Sequence, residues 1–108
     1  MEYLRSKGYA ILERNFRSRA GEIDIIAEKG DTLAFVEVKS WSAYGEGELE
    51  YSIDGRKQRR IEQTARVFIM QRPLAGKKRF RFDVILMTGG DSRKRVRHIE
   101  NAFSGVMG

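Results

Sequence analysis

The sequence contains no cysteine, only one histidine and no long apolar run, and each of these absences excludes a kind of structure or chemistry. Without cysteine there is no disulfide framework and no thiolate metal site, and His98 alone forms no histidine cluster for a soft metal. No apolar run approaches the roughly 18 residues needed to span a bilayer, and the first residues lack the apolar run of a signal peptide. We therefore expect no membrane partner and a cytoplasmic location.

The length of 108 residues favours a single domain spanning residues 1–108, with one modest core. The 21 lysines and arginines exceed the 15 aspartates and glutamates, which gives a formal net charge of +6. Such an excess is typical of proteins with a polyanionic partner, but a basic surface that only maintains solubility explains it about as well. The positions of the charges along the chain must separate these interpretations.

The N-terminal half is patterned as a helix end followed by three strands. The segment MEYLRSK predicts the end of a helix closed by Gly8, and residues 9–16 then predict a first strand. Two segments rich in Ile, Val and Phe, GEIDIIAE and TLAFVEVKS, flank the turn residues KGDT and predict a hairpin.

The C-terminal half predicts a crossover helix and further strands. Apolar residues recur at helical spacing from Asp54 to Arg72, with Ser52 or Asp54 as candidate caps and Pro73 as a stop. The segment RFRFDVILM predicts a strand parallel to the second hairpin strand through a right-handed crossover, and RVRHI after the turn TGGDS predicts a short edge strand. The predicted fold class is α/β, with a mixed β-sheet flanked by helices.

Four ionisable side chains interrupt the two hairpin strands, and the turn fixes how they oppose one another. Alternate residues of a strand share a face, and a loop centred on Gly30 and Asp31 sets the register. This register predicts one entirely apolar face and one face that carries the charges. The opposed pairs are Ile23 with Val38, Ile25 with Val36, Asp24 with Glu37 and Glu22 with Lys39.

Two opposed carboxylates, Asp24 and Glu37, destabilise a hairpin unless a cation neutralises them. Oxygen ligands suit Mg²⁺ or Mn²⁺, which proteins usually hold with one or two carboxylates, water and a substrate phosphate. Lys39 would lie beside that ion, where it could orient or deprotonate an attacking water or stabilise charge on a phosphorus-centred transition state. The alternative is a salt bridge between Glu22 and Lys39 on a solvated face, with the two acids merely exposed.

Basic residues cluster at the start of the predicted long helix, where the macrodipole disfavours cations. Helix N-termini attract phosphate through free N–H groups, so the cluster favours contacts with a nucleic-acid backbone. The alternative is a solvated helix face paired with the acids of residues 46–50. A second basic stretch over residues 93–97 either extends the footprint or protects an edge strand, and His98 is expected to be structural or exposed. The candidate nucleic-acid-binding residues are Arg17, Arg19, Arg56, Lys57, Arg59 and Arg60.

Asp24 followed by Glu37-Val38-Lys39 resembles the PD-(D/E)XK signature of restriction-endonuclease-like nucleases. The longer strings GYAILERNFRSRAGEIDIIA, LAFVEVKSW, RKQRRIEQTA, RFDVI and RHIENAF resemble the uncharacterised bacterial YraN-like family over essentially the whole chain. That family is sometimes described as related to Holliday junction resolvases. The resemblance implies a metal-dependent endonuclease that acts on DNA, possible substrates being branched or repair intermediates, and it raises the prospect of a homodimer. The alternative function is a non-catalytic nucleic-acid-binding module with the same fold.

The resemblance also assigns roles to individual residues. It implies metal ligation by Asp24, Glu37 and the carbonyl of Val38, and a catalytic role for Lys39. Accessory positions are Glu22, which matches the acid of the family's GEID string, Lys57, which matches a basic helix residue, and Gln58 beside it. An acid that the family carries in the first helix, upstream of this chain, has no match unless a shifted helix brings in Glu2, and Trp41 replaces a typical arginine.

Overall fold

The computed structural model describes residues 2–41, 55–88 and 95–103, which form an α/β fold around one mixed sheet. The strand order is β1-β2-β3-β4-β5, with β3 and β4 parallel and the other neighbours antiparallel. This architecture confirms the predicted fold class and is consistent with a restriction-endonuclease-like fold. The elements are α1 Glu2–Ser6, β1 Ala10–Arg17, β2 Glu22–Lys29, β3 Thr32–Trp41, α2 Gly55–Gln71, a 3₁₀ helix Pro73–Lys77, β4 Arg79–Thr88 and β5 Arg95–Phe103.

Gly8 ends α1, as the sequence predicted. Its φ of 92° lies in the left-handed region, where glycine carries no steric penalty. The Tyr9 N–H donates to the Leu4 carbonyl at 3.0 Å and the Gly8 N–H donates to the Arg5 carbonyl at 3.0 Å, which together form a Schellman motif. The motif turns the chain into β1 and leaves Leu4 fully buried against the sheet.

The elements of the C-terminal half agree with the predicted ones, except that β5 extends beyond the predicted RVRHI segment. Helix α2 differs by one residue at each end from the predicted range of 54–72, and Pro73 begins the 3₁₀ helix that follows it. The candidate caps Ser52 and Asp54, the turn residues 89–92 and the acids of residues 46–50 lie outside the described residues. Neither described α-helix combines the length and apolar character needed to cross a bilayer.

The ladder between β2 and β3 has the predicted register but stops earlier than predicted. Its pairs run from Lys29–Thr32 to Ile25–Val36, and the three pairs expected beyond that point do not form among the described residues. The missing pairs are Asp24 with Glu37, Ile23 with Val38 and Glu22 with Lys39. The reason is a side chain: Oδ2 of Asp24 accepts the Val38 N–H at 2.8 Å, so a carboxylate replaces the backbone partner.

Both faces of the sheet are buried, which corrects the prediction of a single apolar face. Ile25 and Val36 pack in a cluster with Leu4 and Tyr9 on one side. The opposite face, predicted to carry the charges, is apolar along most of its length and is covered by α2. Its buried members include Ile26, Leu33, Phe35, Ile61 and Phe68. The charged residues therefore occupy the end of a buried face rather than a solvated one.

Ile23 does not share the environment of Ile25, although strict alternation predicted a common face. Ile23 belongs to the cluster beneath α2, whereas Ile25 belongs to the cluster on the other side. Ile23 still pairs with Phe16 of β1, whose ring contacts Phe68 of α2 at a centroid distance of 5.4 Å. Since β2 is no longer paired with β3 at this point, it follows β1 toward the helix.

Candidate functional site

A cleft of about 560 Å³ opens where β2 and β3 part, below the first turns of α2. It brings together carboxylates from both hairpin strands and cations from the helix, which the sequence places far apart. The described residues that line it are Gly21, Glu22, Asp24, Glu37, Arg56, Lys57, Arg60 and Ile61. The acids and the basic cluster, predicted from separate segments, therefore share one surface.

The loop before β2 docks directly on α2, and this contact closes one side of the cleft. A Cβ added at Gly21 would lie 3.4 Å from Cβ of Arg60, so the glycine permits the close approach. The Ser18 and Thr64 hydroxyls are hydrogen-bonded at 3.0 Å, and Thr64 is fully buried. The Ser18 N–H donates to the Gly21 carbonyl at 2.8 Å, which holds the loop compact at the entrance to β2.

Asp24 is a half-buried carboxylate held by the backbone of β3. Its Oδ2 accepts the Val38 N–H, and no second partner of this carboxylate occurs in the described part of the chain, so Oδ1 is available to a ligand. In an extended strand the N–H and C=O of one residue point toward the same neighbour. The Val38 carbonyl therefore also points toward β2, past the end of the ladder.

Glu37 lies opposite the helix and is paired with it. Its Oε1 is 2.8 Å from Nζ of Lys57, and its side chain is only 13% exposed. The pair places a cation from α2 directly on one of the two carboxylates predicted to bind a metal. It also partly neutralises the negative charge that Asp24 and Glu37 bring to the cleft.

Lys39, predicted to lie beside the metal ion, and the accessory residue Gln58 are not among the residues that line the cleft. Lys39 is half-buried two residues beyond Glu37 on β3, and Gln58 is half-buried on α2. The alternative salt bridge between Glu22 and Lys39 does not occur among the described residues, and Glu22 pairs with Arg17 at 3.4 Å instead.

The remaining predicted cations divide between the cleft and its surroundings. Arg56 and Arg60 line the cleft, whereas the exposed Arg19 and Arg59 do not. Glu2, the candidate substitute for a third acid, is exposed on α1 and pairs with Arg5 at 3.5 Å. Trp41 is the last residue of β3, and its side chain is not among those that the structure describes.

The donor set of the cleft fits a hard cation held in an open site. Within the described ranges, no group of three or more His, Asp or Glu side chains is arranged to hold a metal. Three carboxylates line the cleft, and Glu22 is paired with Arg17, which leaves Asp24 and Glu37 for an ion. Val38 is not among the lining residues, but its carbonyl points toward β2 beside Asp24. Mg²⁺ is characteristically bound by one or two carboxylates while it retains water or phosphate ligands. The residues therefore fit Mg²⁺ or Mn²⁺ completed by substrate rather than a closed protein cage.

A second cluster of charged groups, centred on Asp83, escaped the sequence analysis. Asp83 is 1% exposed and accepts hydrogen bonds from Nε and Nη2 of Arg81, each at 2.8 Å. It also accepts the Asn101 N–H at 3.0 Å and lies 2.7 Å from Nε2 of His98. Burial opposes ionisation of Asp83, but these hydrogen bonds outweigh it and lower the pKa below its ordinary value.

The signal that could have revealed this cluster is the one that revealed Asp24. Asp83 interrupts the apolar strand RFRFDVILM, and Arg81 shares its face two residues earlier. The role of His98 required the pairing of β4 with β5, which periodicity does not give. The sequence led us to expect that His98 is either structural or exposed, and its contact with the buried Asp83 makes it structural.

Comparison with known proteins places the chain in a family. Residues 1–87 match the model of "Uncharacterised protein family UPF0102". A UPF0102 protein of Persephonella marina is 50% identical over 103 residues, covering 95% of this chain and 84% of the relative. A UPF0102 protein of Sulfurihydrogenibium sp. is 45% identical over 104 residues (96% and 86%), and one of Clostridium botulinum is 43% identical over 104 residues (94% and 85%). The chain belongs to the UPF0102 family, the YraN-like family whose motifs its sequence carries.

Proposed function

We propose that the protein is a metal-dependent nuclease of the PD-(D/E)XK superfamily that hydrolyses phosphodiester bonds in DNA. The observation that carries the proposal is the cleft in which Asp24 and Glu37 meet cations from the start of α2. Carboxylates that can hold a hard cation, next to groups that attract phosphate, are the combination that hydrolysis of a phosphodiester requires.

Asp24, Glu37 and the Val38 carbonyl are the groups that would hold Mg²⁺ or Mn²⁺. Such an ion supplies a lowered pKa for bound water and a positive charge for the phosphate oxygens. The Asp24–Val38 hydrogen bond fixes one carboxylate on the sheet, so little ordering is needed when substrate binds.

Lys39 is assigned to the attacking water, because it follows Glu37 by two residues on the same strand and carries a long flexible side chain. In the structure it stands outside the residues that line the cleft. Its ammonium therefore has to swing toward the cleft when substrate is bound.

The start of α2 supplies the contacts to the DNA backbone. Its first turn contains no acidic residue, so the positive end of the helix dipole adds to the charges of Arg56 and Arg60. Contacts of this kind position a phosphodiester without reading sequence. Arg17 is paired with Glu22 of the lining, and with the exposed Arg19 and Arg59 it would extend the same footprint. Branched or repair-intermediate DNA is the substrate class that the resemblance implies.

A non-catalytic nucleic-acid-binding module is the second candidate. It is favoured by the two-carboxylate donor set and by the Lys57 ammonium that already neutralises Glu37. Such a module would keep the fold and the basic cleft and would bind DNA without cutting it.

Cleavage of branched, single-stranded and duplex DNA in Mg²⁺ or Mn²⁺ separates the two candidates. The Asp24→Asn variant removes the charge but keeps an oxygen acceptor for the Val38 N–H, and Lys39→Ala removes only the ammonium group. A nuclease cuts at least one substrate, and both variants lose cutting while retaining DNA binding. If the wild type binds DNA with steep salt dependence and cuts none of the substrates with either metal, the module is correct.

A further inference from the structure

A second cavity, of about 220 Å³, lies on the face of the sheet opposite the cleft that Asp24 and Glu37 line. Tyr9 on its wall belongs to the core cluster of Ile25 and Val36, not to the cluster under α2. The described lining residues are Tyr3, Lys7, Tyr9, Lys29, His98 and Glu100. None of them was assigned to the proposed nuclease site.

His98 is the buried polar group of this cavity, with a side chain 8% exposed. Its Nε2 lies 2.7 Å from Oδ2 of Asp83. Asp83 is an ionised acceptor, because its pKa is lowered, so Nε2 must carry the proton of this hydrogen bond. The other ring nitrogen, Nδ1, lies 3.4 Å from the Tyr3 hydroxyl, which also belongs to the wall.

The Tyr3 hydroxyl remains available as a neutral donor. Burial, and then the nearby Tyr9, Glu100 and Asp83, raise the pKa of Tyr3 above its ordinary value. With Tyr3 neutral and Nε2 of His98 committed to Asp83, the wall presents a hydroxyl and a ring nitrogen side by side. With its proton on Nε2, the ring presents Nδ1 as an acceptor, so the Tyr3 hydroxyl is the group that can donate to an anion, in exchange for its long 3.4 Å contact with Nδ1.

Two ammonium groups stand at the cavity without a carboxylate partner in the described parts of the chain. Nζ of Lys7 is 5.9 Å from the Tyr3 ring centroid, and Nζ of Lys29 is 5.4 Å from that of Tyr9. Cε of Lys29 would lie 3.4 Å from a Cβ at Gly8, so the missing side chain leaves room for the lysine stem.

The one acid of the lining does not neutralise these lysines. Glu100 is already paired, because its Oε1 is 3.3 Å from Nη1 of Arg81. Nη2 of the same arginine binds the buried Asp83. The orphan carbonyls at the end of α1 are likewise used by the hydrogen bonds of Tyr9 and Gly8. The cavity therefore combines excess positive charge with a hydroxyl donor on its wall.

We propose that this cavity binds a phosphoryl group that carries two negative charges. Its volume of about 220 Å³ is below the roughly 300–1,000 Å³ typical of sites for drug-sized ligands, so it accommodates one small group. Lys7 and Lys29 supply charge, the Tyr3 hydroxyl supplies a directed hydrogen bond, and His98 lines the wall beside that hydroxyl. Inorganic phosphate or a nucleotide, and the 5′-phosphate at the end of a nucleic-acid strand, present this same chemistry.

His98 gives a direct measurement, because it is the one histidine of the sequence and its ring resonances need no separation. Inorganic phosphate is titrated into the full chain at constant ionic strength, and the His98 ring ¹⁵N and ¹H shifts are recorded. We expect a saturable shift that an equal ionic strength of chloride does not produce. A linear shift, or the same shift with chloride, overturns the proposal.

The Lys7→Gln/Lys29→Gln double variant tests the charge, because both side chains are exposed and neither contributes to the core. We expect phosphate affinity to fall about tenfold, since two charge contacts of modest strength are lost together. Lys77→Gln combined with Arg14→Gln removes the same two charges at exposed positions outside the described cavity lining, and this matched control should bind as the wild type does. Equal affinity in the double variant and the control contradicts the assignment.

Oligonucleotides with a 5′-phosphate or a 5′-hydroxyl identify the source of the group. If a strand end is bound, the 5′-phosphorylated strand binds more tightly, and the double variant abolishes that difference. If free phosphate or a nucleotide is the ligand, both strands bind equally while inorganic phosphate still saturates the His98 shift. Absence of any His98 response to phosphate and to both strands overturns the proposal.

Discussion

At the scale of single residues, the main finding is that one carboxylate belongs both to the sheet and to the cleft. Asp24 completes the hydrogen bonding of β3 through the Val38 N–H and also lines the cleft. A substitution that removes only the negative charge of Asp24 can therefore be compared with one that also removes the acceptor of the Val38 N–H.

Replacing Asp24 by Asn or by Ala should separate these two roles. Asn retains an oxygen acceptor for the Val38 N–H, whereas Ala leaves that half-buried donor without one. We expect Asp24→Ala to lower the free energy of unfolding by about 1 kcal/mol more than Asp24→Asn does. Both variants should lose Mn²⁺ binding. Denaturant unfolding and Mn²⁺ titration measure the two effects, and equal stability of the variants would contradict the structural role.

Lys57 should compete with a metal for Glu37, because its ammonium is 2.8 Å from Oε1 of that carboxylate. We expect Lys57→Met to raise Mn²⁺ affinity about fivefold, since a charge contact of roughly 1 kcal/mol no longer has to be displaced. Arg59→Met is the matched control, because it removes one positive charge from an exposed position of α2 outside the cleft. Calorimetric Mn²⁺ titration decides, and an equal gain in both variants would indicate only a general electrostatic effect.

At the scale of elements, the Asp83 cluster connects parts of the sheet that are distant in the chain. Arg81 and Asp83 belong to β4 and His98 to β5, and Nη2 of Arg81 also donates to the Tyr9 hydroxyl at the entrance to β1. We expect Asp83→Asn to lower the free energy of unfolding by about 3 kcal/mol, because Arg81 loses its buried counter-charge. Asp31→Asn, at the exposed hairpin turn, is the control and should change stability little.

The stability that Asp83 contributes should depend on pH in a defined direction. Its pKa in the folded protein is below the ordinary value of 3.8, because the hydrogen bonds from His98, Arg81 and Asn101 outweigh burial. A lowered folded pKa stabilises the protein above the unfolded pKa, and this stabilisation is lost as pH falls through the folded pKa. The stability gap between wild type and Asp83→Asn should therefore be constant near neutral pH and shrink below 3.8. A gap that widens in acid would contradict this sign.

Periodicity predicted these elements well because burial on regular strands and helices leaves a regular pattern. The register of β2 on β3 was correct up to Ile25–Val36. Its end was not predictable, because it depends on a hydrogen bond between the Asp24 side chain and a backbone N–H rather than on hydrophobic pattern. Ile23, which packs beneath α2 rather than with Ile25, lies in the part of β2 beyond that end.

The candidate site was predictable in composition and less so in arrangement. Sequence analysis named the acids and the helix cations that share the cleft, because charge inside an apolar strand is costly and therefore conspicuous. The pairing of Lys57 with Glu37 and the position of Lys39 outside the lining depend on where α2 settles over the sheet. That placement follows from tertiary packing, including the contact of Gly21 with the helix.

At the scale of the whole molecule, the net charge of +6 is organised rather than spread evenly. Cations collect at the N-terminal end of α2, whereas Arg72, just beyond its C-terminal end, is paired with Glu13 at 3.0 Å. DNA binding should therefore depend on the first group and little on the second.

The salt dependence of DNA binding tests this organisation. We expect Arg60→Gln to weaken binding to all sequences alike and to reduce the slope of log K against log[salt] by about 1, as loss of one phosphate contact requires. Arg72→Gln carries the same charge change and should leave the slope unchanged. Fluorescence anisotropy at several salt concentrations gives both slopes, and identical losses would place the DNA elsewhere on the surface.

The early end of the β2–β3 ladder has one further consequence, for the exchange of a single amide with solvent. The Val38 N–H is protected by a carboxylate rather than by a neighbouring strand, although it lies inside a sheet. Its hydrogen-exchange rate is therefore tied to whatever Asp24 binds, while the amides of Val36 and Ala34, which point the same way, remain under the control of the β2–β3 ladder. One backbone position thus reports the occupancy of the cleft from within the core of the fold.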